Sequence, residues 1–275
     1  MIGHVIYTYL DSLKKYKLSS SSLQNKISKD TYLLDIRDHK RIKDYLKLIK
    51  PDYVINCSGL LIEASENSVE DAILMNSLFP NILSRLGEQF NFKLIQISTD
   101  CVFSGEDGNY SEESIQDGTS VYARTKALGE INNNRDLTIR TSTIGPELKL
   151  DGTGLLNWFL SQKGDVFGFK KAYWSGVTSL ELAKAIDKFI NQNITGVYNF
   201  TSKNKISKYD LLLLFKQIWK KSDVKIKVNS NYVNDKSLCN IRSDFQYTPK
   251  GYETMLIETY EWMLKNKKRY QHYYM

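Results

Sequence analysis

Phe92-Lys93-Leu94-Ile95-Gln96-Ile97-Ser98-Thr99-Asp100 precedes, across a polar stretch, Tyr122-Ala123-Arg124-Thr125-Lys126. Phe92 to Ile97 reads as a strand running into hydroxyl and carboxylate side chains. The second motif opens a segment, 120–132, that reads as a helix, so Tyr122 and Lys126 share one face a turn apart. The same alternation extends outward. Upstream, Ile2, Val5, Ile6, Tyr9, Leu10 and Leu13 recur at helical spacing, and Thr31 to Ile36 reads as a strand carrying Asp35 near its end. Asp38 to Lys50 reads as a helix stopping before Pro51, Tyr53 to Asn56 as a strand entering Cys57-Ser58-Gly59, and Asn67 to Phe90 as one long helix. Downstream, Leu137 to Arg140 reads as a strand. Such alternation predicts an α/β fold, a doubly wound, Rossmann-like parallel sheet covered on both faces. Ligands of such sheets sit at the carboxyl ends of the strands.

Beyond residue 150 the pattern loosens. A helix capped by Ser179 runs to about Asn191, Val197 to Phe200 is a strand, and Ser207 caps a helix over Lys208 to Lys220. Val224 to Val228 alternates with period two, and Gly251 to Lys265 is a final amphipathic helix. There is no Gly/Ser linker and no internal repeat. The expected division is 1–150 as one unit and 151–275 as a smaller α/β lobe that does not fold independently.

Composition excludes several classes. With 275 residues, 41% hydrophobic and 25% charged, the chain has the make-up of an ordinary globular protein. Cys57, Cys101 and Cys239 are odd in number and far apart, and His4, His39 and His272 are scattered, so neither a disulfide framework nor a metal site is expected. No apolar run approaches the roughly 20 residues that cross a bilayer. The expected setting is cytoplasmic. The net charge of +7 is concentrated late: residues 201–275 hold 15 Lys and Arg against 7 Asp and Glu. That field suits either a solvated surface or an anionic ligand. No nucleic-acid module is recognisable.

Tyr122 and Lys126 point to chemistry. A Lys ammonium beside a phenol favours the phenolate and lowers a pKa that is ~10 when unperturbed, which makes the Tyr a usable acid or base. With the Thr99 hydroxyl at a strand end, this meets the needs of carbonyl reduction: hydride from a nicotinamide, a proton from Tyr and a hydroxyl to hold the oxygen. The spacing Y-x-x-x-K recurs at Tyr232 and Lys236, in a segment that reads as a polar loop, so context separates the two.

On these residues the chain resembles the extended short-chain dehydrogenase/reductases, and within them the dTDP-4-dehydrorhamnose reductase-like nucleotide-sugar reductases. The anchors are Ser98-Thr99-Asp100-Cys101-Val102-Phe103-Ser104-Gly105, then Tyr122 to Lys126, Arg140-Thr141-Ser142, and more weakly Gly176-Val177-Thr178. The resemblance implies a dinucleotide-binding domain over 1–150 and a substrate lobe over 151–275. Thr99, Tyr122 and Lys126 would be catalytic. Gly3, His4, Asp35, Ile36, Cys57, Ser58, Gly59, Asn76, Ser98, Thr141 and Ser142, with Tyr122 and Lys126, would bind the cofactor. Thr99, Cys101, Val102, Thr143, Trp174 and Thr178 would meet the substrate. Simpler readings stand beside these: Asp35 as a helix cap, Ser58-Gly59 as a tight turn, Asn76 as a solvated helix residue and Trp174 as core.

The implied cofactor is NADPH, with NADH as the alternative, since Lys17-Leu18-Ser19-Ser20-Ser21-Ser22 has no acid to bind a ribose diol and Lys26 is near. The implied partners are a nucleotide-sugar substrate and a second copy of the chain as a homodimer, with no nucleic acid and no membrane. The expected reaction is reduction of the C4 keto group of a nucleotide-linked 4-keto-6-deoxy sugar for surface polysaccharide. Cys101 and Thr143 stand where rhamnose-forming members often have Tyr and Trp, so another 4-keto-6-deoxy sugar, such as a UDP-linked 2-acetamido hexulose, is a serious candidate. The rivals are a non-catalytic dinucleotide-binding regulatory subunit and a nucleotide-sugar epimerase or dehydratase. The family opens on an apolar strand and a G-x-x-G-x-x-G turn, whereas this chain starts at Met1-Ile2-Gly3-His4, matching only the last glycine. The expectation is a start inside a longer reading frame or a truncated product, with weak NADPH binding and low stability.

Overall fold

The computed structural model describes residues 1–273, and at its centre lies a four-stranded parallel sheet. Helix α1 (Ile2–Ser12) leads to short strands β1 (Ser21–Ser22) and β2 (Tyr32–Leu33), helix α2 (His39–Ile49) and strand β3 (Tyr53–Asn56). Next come α3 (Ile62–Asn67), α4 (Val69–Ala72), a π-helical turn (Ile73–Leu78), α5 (Phe79–Phe90) and β4 (Lys93–Ile97). Helix α6 (Val121–Leu128), strands β5 (Leu137–Arg140) and β6 (Thr143–Ile144), and helix α7 (Leu155–Ser161) follow. The remainder is β7 (Gly164–Trp174), β8 (Val177–Thr178), α8 (Ser179–Gln192), β9 (Gly196–Asn199), β10 (Ile206–Ser207), α9 (Lys208–Ile218), β11 (Val224–Asp235) and α10 (Tyr252–Lys265).

The central sheet has the order β3-β4-β5-β9, all parallel, with β1 and β2 as a separate parallel pair. Every residue of β4 is buried, as a strand covered on both faces requires. Ile95 and Ile97 face Val5, Ile6 and Leu10 of α1 and Leu182 and Ile186 of α8. Leu94 faces Ile42 and Leu46 of α2 and Leu83 and Leu86 of α5. Each such side chain contributes about 1.5–3 kcal/mol when fully buried. The two-faced α/β expectation therefore holds. Strand β9, from the later part of the chain, completes this sheet, while β10-β7-β11 forms a second sheet over a core of Phe159, Trp174, Leu211, Phe215 and Met263. Among the described residues no helix is long and apolar enough to cross a membrane.

Several boundaries differ from the sequence reading. The long helix expected over 67–90 begins at Ile62 and is interrupted at Ser68, whose extended backbone (φ −143°) starts a new helix. The helix expected over 120–132 stops at Leu128 because Gly129 nests against the π turn: a Cβ there would lie 1.8 Å from the Asn76 carbonyl oxygen. Gly129→Ala is accordingly expected to lower stability by about 3 kcal/mol or more, read as a drop in the urea midpoint. The strand expected over 31–36 shortens to Tyr32–Leu33, since Asp35 turns back to accept from the Arg37 amide at 2.9 Å. Thr178, not Ser179, caps α8. Strand β11 continues to Asp235, so Tyr232 lies on a strand and not in a loop. Strand β7 went unread because one face is exposed, with Phe167 and Lys171 on it, which blurs the alternation.

Candidate active site

Strand β4 ends at Ile97, and the chain carries Thr99 and Asp100 into a short 3-10 turn beside the first turn of α6. Ser120 caps α6 by accepting from the Ala123 amide at 3.1 Å, which fixes Tyr122 and Lys126 on the face toward β4. Lys126 Nζ donates to the Ile97 carbonyl at 2.7 Å. Thr99 Oγ1 donates to Asp100 Oδ1 at 3.0 Å and accepts from the Cys101 amide at 3.1 Å. Thr99, Tyr122 and Lys126 are all buried. The sequence and the structure thus bring the three residues to one place.

The electrostatics differ from expectation. Burial pushes the Tyr122 phenol well above its ordinary value, with the Cys101 thiol adding to the rise and the Thr99 hydroxyl opposing it. The expected lowering by Lys126 is absent because that ammonium is turned to the Ile97 carbonyl. Desolvation in turn lowers Lys126 from 10.5 to about 8, with Glu130 and Cys57 opposing. A neutral phenol is a proton donor, so the site is poised as an acid. Burial also raises Asp100, opposed first by the Thr99 hydroxyl.

Asn76 is buried in the π turn and is not the solvated helix residue of the simpler reading. Its Oδ1 accepts from the Leu60 amide at 2.8 Å, and its Nδ2 donates to the Leu60 carbonyl at 3.1 Å and to Thr125 Oγ1 at 3.2 Å. The wider π turn lets a side chain in mid-helix hold the loop after β3 against α6. At the end of β3, the Ser58 amide donates to Asn56 Oδ1 at 3.1 Å, and Gly59 approaches the Asn76 amide. Cys57 is pushed up to about 12 by burial. A Cβ on Gly3 would meet the Cys57 Cβ at 3.3 Å, which places the start of α1 at this same end of the sheet. His4 points elsewhere: its Nε2 is 2.9 Å from the Tyr270 hydroxyl, and burial lowers it to about 3.

Other expected residues scatter in role. Asp35 pairs with Arg37, whose guanidinium holds the carboxyl below its ordinary value, and Ile36 packs beside α2 and α5. Ser98 Oγ donates to Glu130 Oε1 at 2.6 Å. Thr141 is buried, Ser142 faces Asp100, and Thr143 opens β6. Cys101 lies against Tyr122 and is pushed up to about 12 by burial. Val102 packs with Phe103, Tyr110 and Leu238. Trp174 is buried against Tyr252, the core reading, and Thr178 is committed to its helix cap. Sequence reasoning missed Glu130. The signal for Glu130 was its place four residues after Lys126. Among the described residues no group of His, Cys, Asp and Glu is arranged to hold a metal ion, and all three cysteines are free thiols.

Residues 12–232 match the family model of the RmlD substrate binding domain. The chain is 33% identical over 99 residues to the probable low-salt glycan biosynthesis reductase Agl14 of Haloferax volcanii, covering 35% of this chain and 33% of that protein. It is 22% identical over 192 residues to the methionine adenosyltransferase 2 subunit beta of Xenopus tropicalis, covering 65% of this chain and 58% of that protein. Each match therefore spans less than two thirds of the curated relative. Among solved structures, a hypothetical dTDP-4-dehydrorhamnose reductase from Sulfolobus tokodaii superposes with a TM-score of 0.75 at 25% identity, covering 86% of this chain and 88% of that one. With most of its length matched, and with Thr99 just past the end of β4 beside Tyr122 and Lys126 of α6, the chain belongs to the RmlD substrate binding domain family, a branch of the extended short-chain dehydrogenase/reductases.

Proposed function

We propose that this protein reduces the C4 keto group of a nucleotide-activated 4-keto-6-deoxy sugar with NADPH, as a step toward surface polysaccharide. The observation that carries this reading is the convergence of a neutral buried phenol, a buried amine one turn away and a strand-end hydroxyl at the carboxyl edge of the sheet. The donor set fits a nicotinamide riboside: Lys126 and Tyr122 would hold its ribose, and Asn76 fixes the Leu60 loop beside it. The 2′-phosphate preference rests on β1, which ends at Ser22 and continues through Leu23-Gln24-Asn25-Lys26 without a carboxylate.

A nicotinamide held by Lys126 and Tyr122 would supply the hydride that the carbonyl carbon accepts. Tyr122 would give its proton to the carbonyl oxygen as negative charge builds there, and the Lys126 ammonium would stabilise the phenolate that remains once it turns from the Ile97 carbonyl toward the ring. Thr99 orients the oxygen, which requires its proton to turn from Asp100 to the substrate. Lys126 must be charged for this role. Since its pKa is depressed to about 8, kcat/KM is expected to fall as pH rises past that value, a limb to be read from rates between pH 6 and 10.

A panel of dTDP- and UDP-linked 4-keto sugars with NADPH, followed by loss of the reduced nicotinamide absorbance, tests the reading. Oxidation of NADPH with one of them supports it. Inertness toward all, with NADPH bound, would instead favour the binding-subunit reading that the adenosyltransferase similarity suggests.

A further inference from the structure

Just beyond α6, a buried ion pair connects the turn after the helix to β5, beside the strand end that leads to Thr99. Glu130 and Arg140 are buried together, with Arg140 Nη2 2.8 Å from Glu130 Oε2. Arg140 Nε donates to both Glu130 oxygens at 2.9 Å. Ser98 Oγ donates to Glu130 Oε1 at 2.6 Å, and the Ser98 amide donates to the Ile139 carbonyl at 2.8 Å. Four residues earlier, on α6 itself, Lys126 Nζ donates to the Ile97 carbonyl at 2.7 Å. Lys126 and Glu130 thus grip adjacent residues, Ile97 and Ser98, immediately before Thr99.

Arg140 is itself anchored. Its Nη1 reaches the Glu112 carbonyl at 3.2 Å, and its guanidinium lies over the Phe103 ring at 5.3 Å. A pair held this way costs desolvation and is weak evidence for stability. Its placement next to the reacting side chains needs another reason.

We propose that Glu130 is a positioning residue: by holding Ser98 while Arg140 holds it, it sets the gap between Thr99 and Tyr122 and supplies the negative charge facing Lys126. The inference rests on the catalytic roles proposed above for Thr99, Tyr122 and Lys126. The charged and titratable groups that act on Lys126 are Glu130, in the turn after its own helix and paired with Arg140 of β5, and the Cys57 thiol at the end of β3. Burial depresses the Lys126 amine, and Glu130 is the largest influence opposing that fall. The two functions, charge and spacing, separate by substitution. Glu130→Gln keeps the shape and removes the charge. Glu130→Asp keeps the charge and shortens the arm. Ser98→Ala removes the strand contact and leaves the ion pair.

The test combines kinetics with a readout independent of turnover, the titration of Lys126 followed by NMR of [ε-13C]lysine-labelled protein and assigned with Lys126→Arg. Glu130→Gln is expected to move the Lys126 titration and the alkaline limb of kcat/KM down by about one pH unit. Glu130→Asp is expected to keep that titration and lower kcat about ten-fold, with the NADPH dissociation constant within two-fold of wild type. Ser98→Ala is expected to lower kcat several-fold with the limb unmoved. An unmoved Lys126 titration in a folded Glu130→Gln protein overturns the charge role. Wild-type kcat in both Glu130→Asp and Ser98→Ala overturns the spacing role, and a lower melting temperature alone marks the pair as structural. If the wild-type chain reduces none of the sugar nucleotides, the functional reading fails, while the NMR titration still decides the charge role.

Discussion

Tyr122→Phe is expected to lower kcat by about a thousand-fold, within the range that a single general acid provides. The substitution removes one oxygen from a buried side chain and leaves the ring packing intact. Burial keeps the phenol protonated in the free protein, so it holds the proton that the proposed mechanism hands on. NADPH binding, followed by nucleotide fluorescence, is expected to persist, because Lys126 and the Asn76-held loop remain. A Phe variant that reduces the sugar at a near-normal rate would remove Tyr122 from the mechanism.

Arg140→Met is expected to be the most damaging substitution for stability, by about 3–5 kcal/mol. It leaves the Glu130 carboxylate buried, with only Ser98 and Gln116 as remaining donors. The cost is that of an uncompensated charge more than that of a lost contact. Replacing both partners, Arg140→Met with Glu130→Met, is expected to recover much of the loss, since the desolvation of two ions disappears with them. Urea midpoints for the single and double variants decide the matter: a double variant no more stable than the single would show that packing around Arg140, including Phe103, is what matters.

Legibility in the sequence followed burial. Strands β3 and β5 were readable to the residue because Tyr53–Asn56 is mostly apolar and Leu137–Arg140 alternates apolar and polar residues, each between polar turns. The sheet with helices on both faces followed from their alternation. What escaped depended on contacts distant in sequence. Gly129 ends α6 because of a carbonyl at Asn76, and no local rule carries that information. The Tyr122–Lys126 spacing located the site, yet it misjudged the phenol, since a spacing conveys neither desolvation nor the carbonyl at Ile97 that claims the amine. Glu130 escaped because a carboxylate beyond a motif reads as solvated until its partners, here Ser98 and Arg140, are known.

The π turn at Ile73–Leu78 also bears on how this chain tolerates length change. A helix advances about 100° per residue, so adding or deleting one residue turns everything on one side of the change by that angle. A deletion within Ile73–Leu78 could be absorbed as regular α-helix with no loss of helical length, but it would swing the Leu60-facing amide of Asn76 out of phase with α5. Indels should therefore be far rarer in this stretch than in the surface turns around it, and the spacing from Asn76 to Phe79 should be a fixed measure wherever the same loop must be held.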